Sequence, residues 1–119
     1  MNKRKIGAEY EKKAVQYLRN NGLSILELNY RNRKGEIDII CKDEDYYVFV
    51  EVKYRKDNEK GAPAEAVTYS KRKNICLVAD YYRMIHRIGE FTPVRYDVIS
   101  ICGEEITWYK NAFEHIYSY

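Results

Sequence analysis

Asp38, Glu51 and Lys53 are side chains whose types and spacing suit hydrolytic chemistry at a phosphate. They lie within Gly35–Arg55, GEIDIICKDEDYYVFVEVKYR, which reads as two β-strands joined by a polar turn. The spacing predicts strands over Glu36–Cys41 and Tyr46–Tyr54, with the turn in Lys42–Asp45; β-branched and aromatic residues bounded by turn formers support a hairpin. Alternation predicts Val48, Val50, Val52 and Tyr54 on one face of the second strand, and Phe49, Glu51 and Lys53 on the other. In the first strand it predicts Asp38 beside Glu36 and Ile40, opposite Ile37, Ile39 and Cys41. A short hairpin brings Asp38 level with Glu51. Two carboxylates close together in an apolar strand repel unless positive charge lies between them. A divalent cation and Lys53 would supply that charge. The competing reading of Glu51 and Lys53 is an ordinary ion pair on an exposed strand, and the apolar run around them favours a site.

The ordered set around these residues is more specific than the triplet. It comprises Gly35-Glu36-Ile37-Asp38, Phe49-Val50-Glu51-Val52-Lys53, Pro63-Ala64-Glu65-Ala66-Val67 and Arg95-Tyr96-Asp97. Asp38 followed by Glu51-Val52-Lys53 resembles the D…(D/E)-x-K signature of restriction-endonuclease-like nucleases. From about Gly7 to Ile101 the whole set resembles the YraN-like family of small bacterial proteins, similar in turn to archaeal Holliday junction resolvases. The resemblance implies an α/β restriction-endonuclease-like core, a mixed β-sheet flanked by helices. It implies Mg2+ or Mn2+ held by Asp38, Glu51 and the backbone carbonyl of Val52. Lys53 would then orient or deprotonate the attacking water. It also implies a metal-site role for Glu9 of the first helix, whose alternative is an exposed acid in the first helical turn. Glu36 is a further candidate for positioning water.

The elements that must position these residues follow in the order α-β-β-β-α-β-β. Tyr10, Ala14, Tyr17 and Leu18 recur at helical spacing within Ala8–Asn21, with Gly22 as the stop. Leu23–Tyr30 reads as an edge strand. Lys56–Pro63 is a polar loop, and Pro63–Val67 a short helical turn. Ile75, Val78, Ala79, Tyr82 and Ile85 mark a helix over Tyr69–Arg87, capped by Thr68 or Ser70. Val94–Cys102 and Ile106–Lys110 are strands. In the former, alternation puts Val94, Tyr96, Val98 and Ser100 on one face and Arg95, Asp97, Ile99 and Ile101 on the other, and Arg95 and Asp97 are spaced to form a structural ion pair. Asn111 with Glu114 resembles a capping box opening a final helical turn.

Length points to one domain over 1–119. The absence of any apolar run near the ~20 residues of a membrane span, and of a signal-like leader, points to a cytoplasmic protein away from membranes. Cys41, Cys76 and Cys102 are odd in number and scattered, which argues for buried thiols and against disulfides or zinc. A net charge of +3 says little by itself, but its distribution says more. Arg31, Arg33, Lys34, Arg55, Lys71, Arg72 and Lys73 cluster near the ends of the site strands or at a helix start, either as a solvated surface or as a phosphate-binding rim. The expected activity is metal-dependent hydrolysis of phosphodiester bonds in DNA, with branched substrates and a homodimer left open. The alternatives are a nucleic-acid-binding module that does not cut and an adaptor using the tyrosine-rich surface.

Overall fold

The strand that carries Glu51 and Lys53, β3 (Tyr46–Arg55), lies in the middle of a five-stranded sheet. The computed structural model describes residues 3–55 and 67–117. Before β3 come helix α1 (Lys3–Asn20) and strands β1 (Ser24–Asn32) and β2 (Gly35–Asp43); after it come helix α2 (Tyr69–Ile85) and strands β4 (Val94–Cys102) and β5 (Glu105–Phe113). The sheet order is β1-β2-β3-β4-β5. β3 and β4 are parallel and the other pairs antiparallel, so the sheet is mixed, in the element order that the sequence predicts. A parallel pair needs a crossover, and α2 lies on it.

Each helix covers one face. On one side Ala14, Val15 and Leu18 of α1 pack with Ile39, Cys41, Val48, Val50, Ile99 and Ile101. On the other, Ile75, Cys76, Val78, Ala79 and Tyr82 of α2 pack with Ile37, Ile40, Phe49, Tyr96 and Val98. α1 stops where Gly22 adopts φ +92°, and the amides of Asn21 and Gly22 turn back to carbonyls of its last turn. α2 starts at Thr68, whose hydroxyl accepts the Lys71 amide at 3.2 Å, a cap worth about 1 kcal/mol. Among the described residues no helix is long and apolar enough to cross a membrane.

The predicted faces hold for β3 and β4 but not for β2. Ile37 joins Ile40 in the α2-side core, whereas Ile39 and Cys41 face α1. Alternation therefore slips between Ile37 and Ile39. The cause lies in the neighbouring strand: Asn29, between the pairs Leu28↔Ile39 and Tyr30↔Ile37, has φ +53°, a left-handed conformation that Asn tolerates better than most residues. The two strands kink together opposite Asp38.

Two boundary readings also change. α1 begins five residues before Ala8, and α2 ends two before Arg87. Asn111 and Glu114 do not open a helix. β5 runs on to Phe113, with Asn111 at φ +53° in a register shift and its amide donating to Asp97 Oδ1 at 2.9 Å. The predicted loop Lys56–Pro63 lies outside the described residues, as does most of the turn Pro63–Val67.

The Arg95–Asp97 pair is structural, as its spacing suggests. Asp97 is fully buried, accepts three hydrogen bonds from Arg95 at 3.0, 3.1 and 3.2 Å, and also takes the Trp108 indole N–H at 2.8 Å. Arg95 reaches on to Asp43 at 2.8 Å, tying the β2–β3 turn to β4 and β5. Cys41 and Cys76 are buried free thiols and Cys102 is half-buried. Burial, reinforced by Asp97, pushes the Cys41 thiol up to about 12, far from reactivity.

Candidate active site

β2 and β3 pair from Asp43↔Tyr46 up to Ile39↔Val50, and there the ladder stops. Beyond that point Asp38 bridges the strands with its side chain: Oδ2 accepts the Val52 N–H at 2.8 Å. The ladder's next residues are Asp38 and Glu51. They line an open cleft of about 350 Å³ together with Lys53, Val52 and Tyr54 of β3, Gly7, Tyr10 and Glu11 of α1, and Lys71 of α2. Tyr10 and Tyr54 stack with their centroids 4.6 Å apart and planes 3° from parallel, which fixes the first turns of α1 against the end of β3.

The floor of the cleft is an ionisable quartet, Asp38, Glu51, Lys53 and Lys71. Glu51 is 6% exposed, and its Oε1 lies 3.2 Å from Lys71 Nζ. Burial, then the charge of Asp38 and a hydrogen bond with it, push the Glu51 carboxyl up to about 8, against the opposing pull of Lys71 and Lys53. Burial and repulsion from Lys71 lower the Lys53 ammonium, with Glu51 pulling the other way. Burial also works against the charge of Lys71, but its contacts with Glu51 outweigh that and raise it. Two acids and two amines thus share a cleft that has access to solvent.

The structure brings together Asp38, Glu51, Val52 and Lys53, all expected at the site, and adds Lys71 from the basic set. Glu9 is not among them. Its side chain is 64% exposed and sits 3.9 Å from Lys12, on the solvent side of α1. The α1 glutamate that lines the cleft is Glu11, and its carboxyl is raised by burial and by Asp38. Asn29, at the kink, donates to Glu11 Oε1 at 2.8 Å and holds it there. The sequence carried a signal for this residue: Glu11 precedes Ala14, Val15 and Leu18 by three, four and seven positions, which places it on the buried stripe. Glu36 pairs instead with Arg31 at 3.6 Å.

The remaining basic candidates divide. Arg33 and Lys34 are exposed at the β1–β2 turn, Lys73 is exposed on α2, and Arg55 is half-buried at the end of β3. Arg72 has a structural role: its Nε donates to the Val67 carbonyl at 2.8 Å, and its guanidinium lies over the Phe113 ring. Among the described residues, no three His, Cys, Asp or Glu side chains group closely enough to hold a metal by themselves. Asp38 and Glu51 do meet, and a hard cation that keeps most of its waters requires only one or two carboxylates.

Comparison with known proteins sets this arrangement in a family. The profile of the uncharacterised protein family UPF0102 matches residues 10–101, a span holding all five cleft-lining charged residues. A UPF0102 protein of Lachnoclostridium phytofermentans is 48% identical over 114 residues, covering 96% of this chain and 97% of its own. One from Clostridioides difficile is 46% identical over 115 residues, covering 95% and 100%, and one from Fusobacterium nucleatum is 43% identical over 111 residues, covering 93% and 92%. With similarity extending over nearly the full length of these relatives, the chain belongs to the UPF0102 family, the YraN-like proteins that its ordered motifs resemble.

Proposed function

We propose that this protein is a metal-dependent nuclease with a restriction-endonuclease-like core, hydrolysing phosphodiester bonds in DNA. The observation that carries the reading is the convergence of Asp38, Glu51 and Lys53 in one open cleft at the point where β2 and β3 part. Hydrolysis of a phosphodiester needs a hard cation, an activated water and positive charge near the developing phosphorane oxygens. Asp38 and Glu51, with the Val52 carbonyl, are the groups that would hold Mg2+ or Mn2+. The ion would supply the Lewis acid and lower the pKa of a bound water.

The chain's own residues account for the rest. Lys53 has its charge weakened by burial and by Lys71, which suits an amine that orients the attacking water or takes its proton. Lys71 remains charged beside Glu51 and offers a second cation to a non-bridging phosphate oxygen. Glu11, held by Asn29, faces Asp38 and is the better candidate on α1 for positioning water. Tyr10 and Tyr54 wall off one side of the cleft.

The test is cleavage of linear, nicked, flapped and four-way-junction DNA with Mg2+ or Mn2+, using Lys53→Ala and Asp38→Asn as controls. Cutting by the wild type that disappears in both variants supports the proposal. A folded, metal-saturated wild type inert on every substrate removes it.

A further inference from the structure

The cleft does not end at Lys71. The same residue walls a second depression of about 290 Å³, lined by Gly35, Glu36, Ser70 and Asn74. Next along α2 a third depression of about 410 Å³ opens, where Leu77 and Tyr81 face Asn32, Arg33 and Lys34 of the β1–β2 turn. Ser70, Asn74, Leu77 and Tyr81 follow one another at four, three and four positions, a single stripe along the helix. The three depressions lie in succession along this stripe: the first two share Lys71, and the third abuts the second where Lys34 adjoins Gly35 and Leu77 follows Asn74 by one turn, so we treat them as one groove starting at Glu51. From Lys71 to Tyr81 the helix rises about 15 Å. That matches about four stacked nucleotides at 3.4 Å each along one strand.

The far end of the groove has a distinctive composition. Tyr81 is 43% exposed, so much of the side chain is open to solvent, and Leu77 adds apolar surface beside it. Two exposed cations, Arg33 and Lys34, stand on the opposite rim. An exposed aromatic side chain flanked by cations matches a stacking platform for a base with sites for its neighbouring phosphates. The acid lining the middle stretch, Glu36, is offset by Arg31 at 3.6 Å, so it does not set a net negative charge against a phosphate chain. Charge complementarity thus favours a nucleic-acid strand over an apolar protein segment.

We propose that this groove holds a single-stranded segment of nucleic acid, with one unpaired base stacked on Tyr81 and the adjoining phosphates on Arg33 and Lys34. The substrate class is then a strand with an unpaired stretch next to the cut, not a blunt duplex. The inference rests on the nuclease reading only for what happens at the cleft end. Binding itself is independent of it.

The experiment is fluorescence anisotropy, in EDTA, with a labelled oligothymidylate of about 20 nucleotides and a blunt duplex of the same length, longer than the roughly 4–16 nucleotides that such sites cover. The expected result is binding of the single strand about tenfold or more tighter than the duplex. Tyr81→Ala weakens single-strand binding by about 5- to 100-fold, while Tyr81→Phe, which keeps the ring, restores it. Removing Arg33 and Lys34 together lowers the log–log salt slope by about 1.4. Tyr81→Ala that binds the single strand as the wild type does, or equal affinity for the duplex, overturns the proposal. So does light scattering in which Tyr81→Ala dissolves a dimer and leaves oligonucleotide binding intact, since a second copy then fills the slot. Tyr81-dependent binding without any metal-dependent cutting removes the nuclease reading and leaves the slot standing. Cutting of flapped DNA that is indifferent to Tyr81→Ala removes the slot alone.

Discussion

The Asp38 carboxylate takes the backbone N–H of Val52 at 2.8 Å, in place of the strand partner that β2 no longer supplies. A single side chain thus closes the gap between two strands while also lining the cleft. These two roles separate by substitution. Asp38→Asn keeps an oxygen for the amide and is expected to unfold within about 1 kcal/mol of the wild type, whereas Asp38→Ala strands the N–H and costs about 1–3 kcal/mol. On the proposed reading both variants should lose cleavage by about a hundredfold or more. Urea midpoints beside initial rates check this, and Asp38→Asn cutting at the wild-type rate refutes the assignment.

Glu51 ties stability to pH. Its carboxyl lies at about 8 in the folded protein against an ordinary 4.5, so between those values the folded chain holds a proton that the unfolded chain has released. Its contribution is therefore complete below about pH 4.5 and declines as pH rises towards about 8, by up to about 1.4 kcal/mol per pH unit. In EDTA, Glu51→Gln should flatten this limb of the stability profile. Parallel profiles for wild type and variant over that window would show that the carboxyl is not raised.

On the proposed reading a divalent cation would compete with that same proton. Mn2+ should raise the melting temperature saturably, by the equivalent of about 2.7 kcal/mol at a hundredfold excess over Kd, and more strongly above pH 8 than near pH 6. Asp38→Asn and Glu51→Gln should each abolish the shift. Calorimetry with and without metal measures it, and a shift that survives both substitutions places the ion elsewhere.

The two glutamates of α1 give a direct comparison. Glu11→Gln should reduce metal-dependent cutting by about tenfold or more, since it removes a charge facing Asp38. Glu9→Gln, exposed beside Lys12, should leave cutting within about twofold of the wild type, as expected for a surface pair. The opposite ranking would restore Glu9 to the site.

What the sequence could and could not reveal follows from the range of the forces involved. Strand faces in β3 and β4, the helix stripes and the Thr68 cap depend on local periodicity and short-range bonding, and they were legible. The resemblance points to Glu9, and the stripe of Tyr10, Ala14, Tyr17 and Leu18 does not oppose it; Val15, which is buried with Ala14 and Leu18, turns the stripe towards Glu11. The slip in β2 was not legible from β2 alone, since it comes from Asn29 in the adjoining strand. Lys71 looked like a member of a basic run because nothing near it in sequence shows that α2 begins above Glu51. Asn111 resembled a helix cap because the long-range demand of buried Asp97 for its amide leaves no local mark.

Asp97 offers a control for all of these. It is fully buried and bonded to Arg95, Trp108 and the Asn111 amide, away from the cleft. Asp97→Ala leaves Arg95 short of a partner and should cost about 3–5 kcal/mol. Loss of activity there should follow loss of fold, seen as a lowered denaturant midpoint, whereas Lys53→Ala should lose activity at an unchanged midpoint. A midpoint unaltered in Asp97→Ala contradicts the structural role.

The parallel pairing of β3 with β4 has a consequence for biogenesis. Val48, Phe49 and Val50 sit on a strand whose second edge stays uncovered until the chain has crossed over through α2 and reached Val94. During synthesis the nascent polypeptide therefore exposes a β-prone, largely uncharged ribbon at the heart of its future site, the kind of edge that recruits other chains. Truncation before Val94 should yield insoluble product, and slower translation or a holdase chaperone should matter more for this protein than its small size suggests.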